Sequence, residues 1–175
     1  VNIDRALGID GWMSPGELEW LAKQAEKHDL IAEIGSWMGR STAAMSDNTD
    51  GRIFAIDTWA GSDEPAHHEI LADKGPNWLF SEFKRNITDN VTAIRMTSLE
   101  AAAYFERRGA KFDMIFLDGA HDTESVRADI AAWLPRLADG GLFCGHDYFT
   151  TVKEAVDEVL EVDEAHSIWI MRGRK

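Results

Sequence analysis

The chain predicts an α/β fold: a mostly parallel central sheet with helices on both faces. Three observations carry this. Short apolar runs alternate with amphipathic helical stretches along the whole length. Several of those runs, 112–117 above all, are nearly continuous in apolar character, as strands covered on both faces must be. A glycine turn, Gly35 to Gly39, joins the first run directly to a helix start, and glycine there tolerates backbone conformations closed to other residues.

The elements follow in order. Ser14-Pro15-Gly16-Glu17 opens a helix: Ser14 caps, Pro15 suits the first turn, and Glu17 completes a capping box. Leu18, Leu21, Ala22 and Ala25 then recur at helical spacing until His28. Strand 30–34, helix 40–48 and strand 52–56 come next. In 58–78, Gly, Pro, Asp, Glu and His replace apolar periodicity, which predicts a loop with at most one short helix. Long irregular segments of this kind serve as lids or binding loops. Helix 78–87, strand 91–96 and helix 98–107 follow, with Ser98 read as an N-cap. Strand 112–117 leads to helix 123–137, whose Val126, Ile130, Trp133, Leu134 and Leu137 share a face. Gly140-Gly141 introduces strand 142–145; helix 152–162 and one last strand, 167–171, complete the chain. No repeat or linker divides it, so residues 1–175 read as one domain.

Composition excludes several functions. With 175 residues, 45% of them hydrophobic, the chain can bury a sizeable core. A net charge of −13 and the lack of any Lys/Arg run argue against nucleic acid, whose binding rests on cations. No run reaches the roughly 20 apolar residues of a membrane span, and no signal peptide opens the sequence, so a cytoplasmic location is expected. The single cysteine, Cys144, lies in an apolar run and reads as a core residue rather than a nucleophile. Seven tryptophans suit a filled core or an interface between subunits, so a homo-oligomer is one expectation.

The stretch Ile31-Ala-Glu-Ile-Gly-Ser-Trp-Met-Gly-Arg-Ser-Thr42 carries the strongest functional signal. A dinucleotide fingerprint needs a glycine where Trp37 stands. A phosphate-binding P-loop needs four residues between its glycines and a lysine after them, whereas three residues and Arg40 occur here. What remains is acid-x-Gly-x-x-x-Gly at the end of a first strand. A second acid, Asp57, ends the next strand, 24 residues after Glu33, where a ribose-binding carboxylate would stand. The segments Ile56-Asp-Thr-Trp-Ala-Gly61, Phe112-Asp-Met-Ile-Phe-Leu-Asp-Gly-Ala-His121 and Gly140-Gly-Leu-Phe-Cys-Gly-His-Asp-Tyr148 follow in order.

Over residues 12–172 this set resembles the class I S-adenosylmethionine (SAM)-dependent methyltransferases, in particular the small macrocin-type metal-dependent sugar O-methyltransferases. The resemblance implies a Rossmann-like methyltransferase fold and methyl transfer from SAM to a small-molecule acceptor, most simply a hydroxyl oxygen of a sugar or secondary metabolite. It implies a cofactor site made of Glu33, Gly35, Ser36, Trp37, Gly39 and Ser41 in and around the turn. Asp57, Thr58 and Trp59 would join it after the second strand, Ser98 and Leu99 after the third, and Asp118 after the fourth. Glu33 would set negative charge near the cationic end of SAM, and Asp57 would accept from both ribose hydroxyls. Trp59 reads equally as an adenine-stacking ring or as packing, and Trp37 as a wall of the methionine end or an anchor of the turn.

In the resembled family, acids at the ends of the fourth and fifth strands hold Mg²⁺ or Mn²⁺. Here Asp118, His146 and Asp147 occupy that place, and His146 departs from the usual acid. An imidazole shifts preference away from Mg²⁺; without a metal, His146 or His121 would serve as general base, with Asp118 beside them. His67-His68 reads first as an exposed loop pair, and Tyr148 as a pocket closure or strand cap. The chain is short for the family, so an open acceptor site, or one completed by a second subunit, is expected. Two rivals remain: a SAM- or sugar-binding protein without turnover, and a nicotinamide-dependent oxidoreductase.

Overall fold

The computed structural model describes residues 1–62 and 64–172. In chain order the elements are α1 (Asp4–Leu7), α2 (Pro15–Ala25), β1 (Leu30–Ile34), α3 (Arg40–Ser46), β2 (Arg52–Asp57), α4 (Pro65–Leu71), α5 (Trp78–Asn86) and β3 (Val91–Arg95). They continue with α6 (Ser98–Glu106), β4 (Phe112–Leu117), α7 (Thr123–Trp133), β5 (Leu137–Gly145), α8 (Thr150–Asp157), β6 (Val162–Ala165) and β7 (Ile168–Met171). Among the described residues the strands form one seven-stranded sheet, ordered β3-β2-β1-β4-β5-β7-β6. The first five run parallel; β7 pairs antiparallel with both β5 and β6.

Period-two alternation in the strands divides the core. Ile31, Ile53, Met114 and Phe116 point to one face, where they meet Leu18, Leu21, Met45, Trp59 and Phe83. Ala32, Ile34, Ile56, Ile115 and Phe143 point to the other, against Phe105, Trp133, Val156 and Trp169. Burying a large apolar side chain stabilises by about 1.5–3 kcal/mol, so the fully buried Phe83, Phe112 and Phe116 are major contributors. Cys144 is buried among them, and that burial pushes its thiol up, out of reach of thiolate chemistry at neutral pH.

The sequence reading is corrected at several elements. The short helix α1 has too little periodicity to announce itself. The helix expected over 123–137 ends at Trp133, and a single 3₁₀ turn around Pro135 follows before β5 begins at Leu137. Thr97, not Ser98, caps α6, accepting from the Glu100 backbone N–H within a capping box. The last helix stops at Asp157, and two strands follow it rather than one. Their tight turn places His166 at φ 60°, as two-residue hairpins require. Its ring lies over Gly16, where a Cβ would come within 2.9 Å. The hairpin therefore seats on the first turn of α2.

Candidate functional site

The sheet order reverses direction between β1 and β4. Ligands in such sheets bind at that switch point, beyond the carboxyl ends of the strands. The glycine turn forms one wall of this crevice. Gly35 (φ 87°), Trp37 (φ 46°) and Gly39 (φ 91°) all adopt left-handed backbone. A Cβ on Gly35 would sit 2.1 Å from the Asp118 carbonyl oxygen, so only glycine lets the turn touch the end of β4.

Two acids shape the turn from below. Asp57 is half-buried; one carboxylate oxygen accepts from the Ser36 (3.0 Å) and Trp37 (2.9 Å) backbone N–H groups, the other from Trp59 N–H (2.7 Å). A carboxylate offers about four lone-pair positions, so Asp57 retains capacity for a ligand hydroxyl. Glu33 is fully buried and accepts from the hydroxyls of Ser36, Ser41 and Thr42. Burial pushes its carboxyl up to about 7 against the lowering effect of those hydrogen bonds. Where charge beside a cationic ligand end was expected, Glu33 lies wholly buried, and with the nearly buried Ser41 it holds the turn from inside.

Trp59 is likewise core, 1% exposed, packed on Phe80 and Phe83, and it donates from Nε1 to the Trp37 carbonyl. Its packing role is the one realised. Thr58 is half-buried at the crevice rim and accepts from Ala60 N–H. After β3, the Ser98 hydroxyl turns inward, donating to Asp129 and accepting from Trp133 Nε1 at 2.9 Å. It ties α6 to α7 instead of presenting its hydroxyl to a ligand. Leu99 is half exposed. Asp129, unforeseen from sequence, is buried with its carboxyl raised to about 6 by desolvation.

The ends of β4 and β5 carry the ionic cluster. His146 is buried, with Nδ1 3.3 Å from carboxylate oxygens of both Asp118 and Asp147. Its Nε2 lies 3.1 Å from Glu17 Oε1 and 3.3 Å from Ser167 Oγ. Burial opposes its charge, yet the Asp118 and Asp147 carboxylates raise it to about 11. Its Nε2 is hydrogen-bonded to Glu17, while Nδ1 lies between the two carboxylates. The ligand atoms that converge are those of Asp118, His121 and Asp147, so His121 rather than His146 completes the set expected at the strand ends. Glu17, read only as a capping residue, also accepts from Ser167, and these bonds with the His146 charge overcome its burial, lowering it to about 2. Nothing in local sequence pattern joins Glu17 to a residue 129 positions away.

His121 takes the place vacated by His146. Its Nδ1 is 2.7 Å from Glu64 Oε1. Its Nε2 is 2.9 Å from Asp147 Oδ2, but that buried nitrogen has no partner in hydrogen-bond alignment. Close approach without alignment suits two ligands of one cation, as it also suits a plain ion pair. Asp118, His121 and Asp147 each offer one ligand atom, all within 4.8 Å of one another. Two carboxylates and an imidazole fit Mn²⁺, Fe²⁺ or Zn²⁺ better than Mg²⁺. Asp147 holds this position at φ 54°, a strained backbone for a non-glycine residue. His121 is raised to about 9, chiefly by Asp147 against the cost of burial and with help from Glu64, while the two imidazolium rings hold Asp147 well below the usual carboxylate range.

The 58–78 segment spans the crevice with α4. His67 stacks on Trp37 with ring centroids 4.1 Å apart and planes 17° apart, and exposed Trp12 leans on both. Burial lowers the His67 ring's affinity for protons, and its Nδ1 faces the Ser62 backbone N–H at 3.1 Å. Reading both histidines as an exposed pair thus holds only for His68. Tyr148 is half-buried against the core, its hydroxyl donating to Asp157 and approached by Lys153 at 3.0 Å, away from the crevice role expected of it.

Sheet order, glycine turn and strand-end acids together define a Rossmann-like methyltransferase fold. The chain belongs to a family of methyltransferase domains, whose model matches residues 32–148. It is similar to an uncharacterized protein, y4gI, of Sinorhizobium fredii, with 27% identity over 154 residues. That match covers 82% of this chain but only 15% of the length of y4gI. Among solved structures, the calicheamicin methyltransferase CalS11 superposes with a TM-score of 0.66 at 16% identity, covering 89% of this chain and 77% of its own. An O-methyltransferase from Bacillus cereus, solved with S-adenosylhomocysteine, gives 0.58 at 22% identity, covering 88% and 66%. At these identities the superpositions establish the fold. No helix among the described residues is long and apolar enough to cross a membrane.

Proposed function

We propose that this domain transfers a methyl group from SAM to a hydroxyl oxygen of a small acceptor, such as a sugar or secondary metabolite, with a divalent cation at Asp118, His121 and Asp147. The observation that carries the reading is the crevice at the β1/β4 switch point, walled by a glycine turn without a phosphate cradle, in a chain of the methyltransferase domain family. Gly35, Ser36, Trp37 and Gly39 would face the amino acid end of SAM. Asp57, with Thr58 beside it, would accept from the ribose, and Leu99 would cover the adenine.

SAM supplies the methyl group, which leaves sulfur for the acceptor oxygen and yields S-adenosylhomocysteine. A cation at the strand ends would lower the acceptor's pKa and orient it. The chain's own contribution is alignment and exclusion of water. Glu33 and Asp57 fix the turn from beneath, and α4 covers the crevice. Without a cation, His121 would receive the acceptor proton only in its neutral form, near or above pH 9. His146 keeps Asp118 and Asp147 oriented and partly neutralised.

Calorimetry with S-adenosylhomocysteine tests the cofactor, with EDTA or with added Mn²⁺ or Mg²⁺. Binding is expected at micromolar to submillimolar concentration. No heat at millimolar ligand, with a thermal shift from NAD(P) instead, would favour the oxidoreductase alternative. Bound SAM that yields no S-adenosylhomocysteine with a panel of hydroxylated acceptors would favour binding without turnover.

A further inference from the structure

The 58–78 segment reaches the crevice walls through two side chains about one helical turn apart. His67 stacks on Trp37 at the end of β1. Glu64, the residue capping α4, meets His121 beyond β4, its Oε1 2.7 Å from Nδ1. The two nitrogens of His121 thus have different environments. Nδ1 is held by a carboxylate from the segment, whereas Nε2 is buried, faces Asp147 and lacks an aligned partner. Histidines that bind metals donate their other N–H to just such an outer carboxylate, which fixes ring orientation and the nitrogen left free.

We propose that Glu64 is the positioning residue of the strand-end cation site, holding the His121 ring by Nδ1 so that Nε2 faces Asp118 and Asp147. The inference rests on the cation reading above. It makes α4 a conditional part of the site: displacing the segment removes the support of one ligand. Cation occupancy and the seating of α4 are then linked, each favouring the other.

The test is Mn²⁺ titration of the whole chain, followed by electron paramagnetic resonance, with pulsed detection of ¹⁴N coupling from a bound imidazole. Glu64→Gln preserves size and removes the carboxylate. Glu69→Gln removes the same charge from an exposed position on the same helix. We expect wild type and Glu69→Gln to bind alike with nitrogen coupling. Glu64→Gln should bind about 10–100-fold more weakly, the usual cost of losing an outer carboxylate, with the coupling reduced. A loss under fivefold relative to Glu69→Gln, or unchanged coupling, overturns the role of Glu64 and leaves the cation site standing. Absence of Mn²⁺ binding to wild type at millimolar concentration overturns the cation site itself, and the role of Glu64 with it.

Discussion

Glu17 and His146 lie 129 positions apart and meet at 3.1 Å, each side chain less than a tenth exposed. The contact joins the first turn of α2 to the end of β5, and Ser167 on the terminal hairpin closes it. Removing one member of a buried ion pair leaves the other charge poorly compensated, typically at a cost of about 3–5 kcal/mol. Asp118 and Asp147 still face His146, so Glu17→Ala should fall at the low end, about 3 kcal/mol. Urea denaturation measures it; a loss below about 1 kcal/mol would mean the pair adds little.

The pH dependence of stability separates the raised acids from the raised histidines. Glu33 titrates near 7 in the folded chain against an ordinary value of 4.5. The folded state then binds more protons between those values, so stability falls as pH rises from about 4.5 to 7. With about 1.4 kcal/mol per unit, that loss is about 3 kcal/mol. His121 and His146 are raised to about 9 and about 11, so their contribution is complete below about 6.5 and is lost as pH climbs through those values. Glu33→Gln should shrink the first limb, leaving the share of Asp129 below about pH 6, and leave the alkaline one. Chemical denaturation across pH 4–10 reads both, and an unchanged acid limb would remove Glu33 as its source.

Gly35 is irreplaceable on two counts, its left-handed backbone and its contact with the Asp118 carbonyl. The backbone term alone costs an alanine about 1–2 kcal/mol, and the clash adds to it. Gly35→Ala should therefore lose more than about 2 kcal/mol, or fail to fold. Gly75, with no atom near its would-be Cβ, should accept alanine within about 0.5 kcal/mol. Comparable losses at the two sites would argue against the tight turn.

Asp57 combines support of the turn with the proposed ribose contact. Hydrogen bonds to a charged group contribute about 1.5–3 kcal/mol each. Asp57→Ala should weaken S-adenosylhomocysteine at least about tenfold in calorimetry, whereas a mere surface acid would leave affinity unchanged.

The strands and helices were legible because apolar periodicity and turn glycines are local signals. Gly35, Gly39, Asp57, Asp118 and Asp147 reach the crevice region because they end consecutive strands of a parallel sheet. What the sequence concealed were choices between neighbours. Glu33 precedes the turn by two residues and points below it; His146 and His121 are both histidines beside acids, and only tertiary packing decides which keeps a nitrogen free. Glu17 and Glu64 carry no chemical motif, since their partners come from distant segments. The terminal hairpin was half missed because 158–162 offers little turn chemistry, and its alternation lies beside charged residues.

The contact between Gly35 and Asp118 gives the crevice one fixed jaw. Backbone there lies against backbone, and neither strand end can shift without the sheet. The opposite jaw, α4, meets that wall through a stacked ring pair and an ion pair. On the proposed cofactor reading, entry and exit of the nucleoside would be paced by the parting of those two contacts. Trp37→Ala should accordingly hasten S-adenosylhomocysteine release in stopped-flow fluorescence, while Val159→Ala, at an exposed position beyond the end of α8, should leave the release rate as it was.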